Sequence, residues 1–221
     1  MERLIVLDTE TTGIDPSEGH RIIEVGAVQI LDREITSTEF HRYVQPNRKV
    51  GDSVNIHGIT DKFLINKPQF NQISDDLLSF IEGATLVIHN APFDLGFLNN
   101  ELKLIDIKET IESICTVIDT LKLSKQQRPG TMHNLDALCR RFGIDTSART
   151  RHGALLDAQI LAQVYLAMTG GQSSLFQEVT NTESNQTDPS LIKKVKENRD
   201  KIKVIYANKN ELEAHKNYFQ N

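Results

Sequence analysis

The strongest constraint on the fold is an apolar run, Leu4 to Leu7, that leads directly into two acids, Asp8 and Glu10. Four aliphatic residues followed closely by Thr-Thr-Gly predict a buried β-strand that ends at a turn. Residues two apart in a strand share a face, so both carboxylates should lie together at the strand end. A divalent cation would offset their repulsion, because hard cations prefer carboxylate oxygens. Two solvated acids at an ordinary strand end are the alternative for this pair taken alone.

The rest of the chain alternates between strand and helix patterns. Strands are predicted at 21–31, 34–44, 84–88 and 114–117, and helices at 68–81, 91–102, 118–127, 134–142 and 153–168, with 47–58 irregular. This order predicts an α/β domain with a mixed five-stranded sheet flanked by helices. Three successive strands without helices predict an antiparallel meander at one end of that sheet.

Composition changes after the predicted domain, which spans 1–171. Residues 177–190 are polar and contain a single aliphatic residue, Val179, which is typical of a flexible linker. Residues 191–221 hold eight Lys or Arg and four Asp or Glu, a net charge of +4, whereas residues 1–190 hold 17 and 26, a net charge of −9. The segment 191–221 is too short to bury its own apolar residues. We therefore predict a flexible C-terminal tail after the domain.

Charge and cysteine content indicate in which cellular compartment the protein resides and which partners it can bind. An acidic body argues against tight autonomous binding of nucleic acid, but not against a site where metal ions supply the positive charge. Cys115 and Cys139 lack metal-ligand spacing and fit a reduced cytosol. The sequence has no membrane-spanning run and no signal pattern, so we expect a cytoplasmic protein with no membrane contact.

Two further acids suit a functional site. Asp94 falls in the first turn of a predicted helix, where stabilisation by the helix dipole is an equally good explanation. Asp157 lies at the centre of an apolar helix face that includes Leu161 and Val164. A carboxylate on such a face is costly without a partner. A buried salt bridge is the alternative, but a metal-binding or catalytic role is favoured.

His152 precedes the same helix by one residue. An ordinary surface histidine is the alternative, but its position beside a buried acid makes it a candidate proton acceptor, because histidine titrates near neutral pH. The acids Asp8, Glu10, Asp94 and Asp157 together need charge compensation. Oxygen ligands favour two Mg²⁺ or Mn²⁺ ions over Zn²⁺.

These residues form three motifs that resemble those of the DEDDh 3′→5′ exonucleases. In chain order the motifs are Asp8-x-Glu10, Asn90-x-x-Phe93-Asp94 and His152-x-x-x-x-Asp157. The resemblance covers about residues 3–176 and is strongest to members that proofread for bacterial replicases. It implies an RNase H-like fold and hydrolytic removal of 3′-terminal nucleotides from DNA as 5′-monophosphates.

The resemblance also implies a role for each site residue. It makes Asp8, Glu10, Asp94 and Asp157 metal ligands and His152 the general base. Substrate binding is implied for Asp8, Glu10 and Asp157 among these ligands. Two further substrate-binding residues are implied, His57 and Asp52, the second standing where the family has Glu.

Partners are implied by the C-terminal part of the chain. The segment 172–176 resembles a sliding-clamp-binding pentapeptide through Gln172, Leu175 and Phe176, although these residues would also suit packing against the domain. The segment 191–221 resembles the part of the family that binds the polymerase catalytic (alpha) subunit. A small theta-like subunit is often present in the family, and the DNA 3′ end is the expected substrate.

Two other functions fit the same residues. One is a free-standing DEDDh exonuclease that trims RNA or single-stranded DNA 3′ ends, which would not need the linker and tail. The other is a non-catalytic scaffold that bridges polymerase and clamp, which would not need the complete set of motif residues.

Overall fold

The computed structural model describes residues 3–147 and 151–170, all within one compact unit, Met1–Ser173. Its strands are β1 (Arg3–Thr11), β2 (Ile22–Leu31), β3 (Glu34–Tyr43), β4 (Thr85–Ile88) and β5 (Thr116–Asp119). Its helices are α1 (Val54–His57), α2 (Asp61–Leu64), α3 (Ser74–Ile81), α4 (Ala91–Leu104), α5 (Ile111–Ile114), α6 (Thr120–Gln127), α7 (Leu135–Phe142) and α8 (Ala154–Gly170). The predicted segments 172–176, 177–190 and 191–221 lie outside the described residues.

The strands form one five-stranded mixed sheet in the order β3-β2-β1-β4-β5. Strands β1, β2 and β3 pair antiparallel, whereas β4 is parallel to both β1 and β5. The hairpin between β2 and β3 turns through Asp32 and Arg33, which have φ angles of 49° and 67°. The predicted fold class and the predicted meander are both confirmed.

Strand β1 is covered by helices on both faces. Ile5 and Leu7 belong to a core cluster that includes Phe97 of α4. Leu4 and Val6, which point the other way, belong to a cluster that includes Leu161 of α8. Because side chains alternate along a strand, each face of β1 carries its own helical layer. No helix in the described part of the chain is long and apolar enough to cross a membrane.

Three predicted elements differ from the structure. The helix predicted at 68–81 is divided into a 3-10 turn, Phe70–Gln72, and α3, because Ile73 between them leaves helical geometry with a φ angle of −117°. The strand predicted at 114–117 lies at β5, because Ile114 completes α5, whose start is capped by Thr110 and Ser113. The segment predicted to be irregular contains α1.

Candidate active site

The candidate site lies at the carboxyl end of β1. Glu10, His152 and Asp157 each offer a ligand atom, and these atoms all lie within 4.8 Å of one another. Glu10 comes from β1, Asp157 from the first turn of α8, and His152 from the segment just before that helix. Asp8 is two residues before Glu10 and shares its face of the strand. The fold therefore brings together elements from both ends of the described chain.

His152 and Asp157 are joined by a hydrogen bond. The His152 Nδ1 atom lies 3.0 Å from Asp157 Oδ2, and the two side chains are 48% and 5% exposed. An ionised carboxylate can only accept, so Nδ1–H is the donor of this hydrogen bond. Nε2 is then the remaining nitrogen of a ring that is half exposed to solvent. The predicted burial of Asp157 on the apolar face of its helix is confirmed.

The donor set fits a divalent cation. Glu10 and Asp157 are both buried, and close buried carboxylates are unfavourable unless a positive charge compensates them. Carboxylate oxygens are the ligands that Mg²⁺ and Mn²⁺ prefer, and a single imidazole does not change that preference.

Asp94, from α4, packs against the face of β1 opposite to Glu10. Its Oδ1 atom accepts a hydrogen bond of 2.7 Å from the hydroxyl of Thr9, which lies between Asp8 and Glu10 and so points away from both. Asp94 is 3% exposed, and burial raises the pKa of its carboxyl to about 7, although the Thr9 hydrogen bond acts to lower it. The structure thus brings Asp94 to the same end of β1 from the opposite helical layer.

The residue that precedes the helix of Asp94 has a left-handed backbone conformation. Asn90 links β4 to α4 with φ 66° and ψ 53°, a conformation that asparagine tolerates better than most residues. Its backbone N–H donates to Asp119 Oδ1 over 3.2 Å, which fixes the turn to the end of β5. Asp94 then falls in the first turn of α4, as predicted.

His57 is buried at the end of α1. Its Nδ1 atom accepts from the Ile59 backbone N–H at 3.0 Å, while Nε2 has no hydrogen-bond partner among the described residues. Burial lowers the pKa of His57; the Glu24 charge opposes this, and the His152 ring adds to it. These influences indicate that His57 lies close to the candidate site.

Asp52 is exposed and lines a separate open cavity of about 550 Å³. The cavity is also lined by Thr12 and Gly13, which follow the acids of β1 in the sequence, and by the exposed apolar side chains of Ile14 and Ile56. Asp52 is therefore adjacent to this cavity and is not a member of the Glu10 cluster.

Glu24 and Thr9 were not predicted as site residues, but Glu24 lies opposite Glu10 in the sheet and Thr9 donates to Asp94. Glu24 on β2 is 3% exposed and pairs directly opposite Glu10. Its Oε1 atom lies 2.7 Å from His41 Nε2, and its Oε2 atom accepts from the Ala154 backbone N–H at 3.1 Å. An acid within an otherwise apolar strand is the sequence signal that could have identified it.

Comparison with known proteins identifies the family. Residues 5–165 match the RNase T model, described as Exonuclease. The chain is 48% identical over 221 residues to DNA polymerase III subunit epsilon of Pasteurella multocida (strain Pm70), covering 98% of this chain and 87% of that protein. It is 46% identical over 220 residues to the epsilon subunit of Escherichia coli (strain K12), covering 96% and 90%.

Solved structures agree on the fold. Exonuclease X in complex with 5′ overhanging duplex DNA superposes with a TM-score of 0.58 at 25% identity, covering 76% of this chain and 91% of that chain. The zinc-bound E. coli ExoI–ssDNA complex superposes with a TM-score of 0.67 at 17% identity, covering 81% and 43%, and supports the fold alone. The chain therefore belongs to the RNase T exonuclease family and, within it, to the DNA polymerase III epsilon subunits.

Proposed function

We propose that this chain is the 3′→5′ exonuclease of a bacterial replicase and removes mispaired 3′-terminal nucleotides from DNA as 5′-monophosphates. The observation that carries the proposal is the convergence of Glu10, His152 and Asp157 at the end of β1, within 4.8 Å, in a chain related along most of its length to epsilon subunits. A non-catalytic scaffold would not need two buried acids and an exposed histidine at one point.

Four acids hold the metal ions in this proposal. Asp8, Glu10 and Asp157 would hold one Mg²⁺ or Mn²⁺ ion, and Asp8 with support from Asp94 would hold a second. Bound divalent cations supply Lewis-acid stabilisation of charge at the reacting phosphate. The position of Asp94 on the opposite face of β1 suits a supporting role, because Thr9 already holds one of its oxygens.

His152 acts as the general base. Asp157 accepts a hydrogen bond from Nδ1–H and orients the ring, and Nε2 takes a proton from the attacking water. The half-exposed ring can receive that water from solvent and return the proton to it. General-base catalysis of this kind typically contributes about 10²–10⁴-fold in rate.

The terminal nucleotide contacts residues beside the metal site. We assign substrate binding to Asp8, Glu10 and Asp157 through the metal ions, and to His57 directly. The Nε2 atom of His57, which has no partner among the described residues, supports this role, because an unsatisfied buried polar atom is costly and a bound substrate would satisfy it. Asp52 is assigned to the outer part of the substrate path, along the cavity that it lines together with Thr12.

The C-terminal part of the chain provides the partners. We propose that Gln172, Leu175 and Phe176 within 172–176 bind the sliding clamp. The linker 177–190 then leads to 191–221, which binds the polymerase catalytic subunit, and a small theta-like subunit completes the assembly in the cytoplasm. The similarity to epsilon subunits over 98% of the chain supports this division, because it extends beyond the exonuclease domain.

The deciding experiment measures release of 5′-mononucleotides from a 3′-end-labelled, mispaired DNA primer, with Mg²⁺ or with EDTA. Wild type should degrade the primer stepwise only with Mg²⁺, and the Asp8→Ala/Glu10→Ala variant should not. The matched control is Asp75→Ala/Asp76→Ala, which removes the same charge from the exposed surface of α3. Release from RNA ends alone would favour a free-standing trimming enzyme, and no release from either would favour the scaffold.

A further inference from the structure

Glu24 is a buried acid that contacts the start of the helix that carries Asp157. Its Oε2 atom accepts a 3.1 Å hydrogen bond from the backbone N–H of Ala154, the first residue of α8. Its Oε1 atom lies 2.7 Å from Nε2 of His41 on β3. Both carboxylate oxygens are therefore engaged, one by the helix start and one by the neighbouring strand.

The contact falls between His152 and Asp157 in the chain. Ala154 is two residues after His152, and the preceding carbonyl, Gly153 O, accepts from the Asp157 backbone N–H at 2.9 Å. A helix leaves its first backbone N–H groups without internal partners, and a negative charge at that end is favourable. Glu24 thus fixes the backbone of the turn that carries the side chains of His152 and Asp157.

The position of Glu24 is electrostatically unfavourable for an acid unless a specific interaction compensates the cost. Glu24 stands directly opposite Glu10 in the β1–β2 register, and like charges in a cross-strand pair are destabilising. An apolar residue would suit a strand that is otherwise buried from Ile22 to Val28. A carboxylate at this position is explained if its hydrogen bond to Ala154 serves the site.

We propose that Glu24, held by His41, is a positioning residue that sets the place of His152 relative to the attacking water. The inference rests on the proposed role of His152 as general base. It predicts that loss of the Glu24 carboxylate affects the chemical step, because a displaced base loses rate even when substrate still binds.

The test compares kcat and KM of full-length variants on a mispaired primer. Glu24→Ala should lower kcat about tenfold or more and leave KM within about twofold. Glu24→Gln should remain within about threefold of wild type, because its amide oxygen can accept from Ala154 and its NH₂ can donate to the other tautomer of His41. This rescue would separate a hydrogen-bonding role from a requirement for the charge itself.

Glu101 provides a matched control. It is 1% exposed, pairs with Arg21 and accepts from the Ile22 backbone N–H at 3.2 Å, so it is also a buried carboxylate that contacts β2. Glu101→Gln should lower the melting temperature without changing kcat, measured well below that temperature. If Glu101→Gln lowers kcat as much as Glu24→Ala does, the loss reflects general destabilisation and the proposal is wrong.

A double-mutant cycle tests whether Glu24 acts through His152. Glu24→Ala should have no further effect on kcat in a His152→Ala background. An equal fold-loss in both backgrounds would overturn the proposal while leaving the general-base role intact. Full activity of His152→Ala alone would instead overturn that role, and the positioning proposal with it. If Glu24→Ala does not fold, His41→Ala replaces it, with an expected loss of about threefold that must also vanish in the His152→Ala background.

Discussion

A Cβ atom on Gly26 would lie 2.1 Å from the backbone nitrogen of Leu155. Gly26 pairs with Asp8 in the β1–β2 register, so the start of α8 rests on the sheet directly beside the acids of β1. Glycine is needed here because any side chain would occupy the space of the helix backbone. This close approach is what lets Asp157 in the first turn of α8 reach Glu10.

Gly26→Ala should therefore displace α8 from the sheet. We expect a loss of at least about 2–3 kcal/mol in the free energy of unfolding, because a backbone cannot yield as a flexible side chain can. Urea denaturation followed by circular dichroism measures this loss. Gly96→Ala in α4 is the control, since its Cβ would meet nothing closer than Pro16 Cγ at 4.0 Å, and it should be neutral or stabilising. Equal stability of the two variants would contradict the packing described here.

Asp94 should make the metal-free protein less stable as pH rises. Its folded pKa is about 7 against an ordinary value of 3.8, so between these values the folded state holds more protons than the unfolded state. The contribution is fully present below the ordinary value and is lost as pH rises through the folded pKa. In EDTA at pH 8, Asp94→Asn should exceed wild type by roughly 2–4 kcal/mol, and the difference should disappear near pH 4.

The Asp94 comparison is made by urea titration at each pH. Asparagine keeps the acceptor for the Thr9 hydroxyl, so the variant removes the ionisation and leaves the hydrogen bond. Asp75→Asn, an exposed acid on α3, serves as the control and should run parallel to wild type. An Asp94→Asn curve that is also parallel to wild type would mean that burial does not perturb this carboxyl.

His57→Asn tests the role of His57 Nε2, which has no hydrogen-bond partner within residues 3–147 and 151–170. Asparagine can keep an acceptor near the Nδ1 position for the Ile59 backbone N–H, but it loses Nε2. Stability should be unchanged or higher, because a buried polar atom without a partner is removed. If Nε2 contacts the terminal nucleotide, kcat/KM should fall roughly 10–100-fold, the worth of a hydrogen bond to a charged group. Steady-state exonuclease assays measure this, and an unchanged kcat/KM would remove His57 from the substrate site.

Arg21 and Glu101 form an ion pair that joins the start of β2 to helix α4. Arg21 Nη2 lies 2.6 Å from Glu101 Oε2, and the Glu101 side chain is 1% exposed. Arg21→Met leaves that carboxylate buried without its charge partner, so we expect a loss of about 3–5 kcal/mol. The double variant Arg21→Met/Glu101→Leu should recover most of this loss, as chemical denaturation would measure. No recovery would mean that the pair contributes more than charge compensation.

The features that could be predicted from the sequence are mostly those that depend on short local patterns of apolar and polar residues. The strand that ends in Asp8 and Glu10 follows from an aliphatic run and a turn signal, and Asp157 follows from helical periodicity. Each of these patterns is complete within about ten residues, so no tertiary information is needed.

The remaining features depend on contacts between distant segments. Glu24 is buried because Ala154, 130 residues later in the chain, donates to it, and no local pattern reports that contact. Similarly, the sequence indicates that Asp94 begins a helix, but not that the helix packs on the face of β1 opposite to Glu10. The short helix α1, with its buried His57, was predicted as irregular because four residues carry too little periodicity.

The division of the candidate site between the two faces of β1 has a consequence for folding. Glu10 faces the layer that contains α8, whereas Thr9 and its partner Asp94 face the layer that contains α4. An intermediate that has assembled only one helical layer lacks part of the constellation, whichever layer is missing. On the proposed site assignment, hydrolytic activity requires the whole domain to be complete, and a chain that has not finished folding should not degrade a primer.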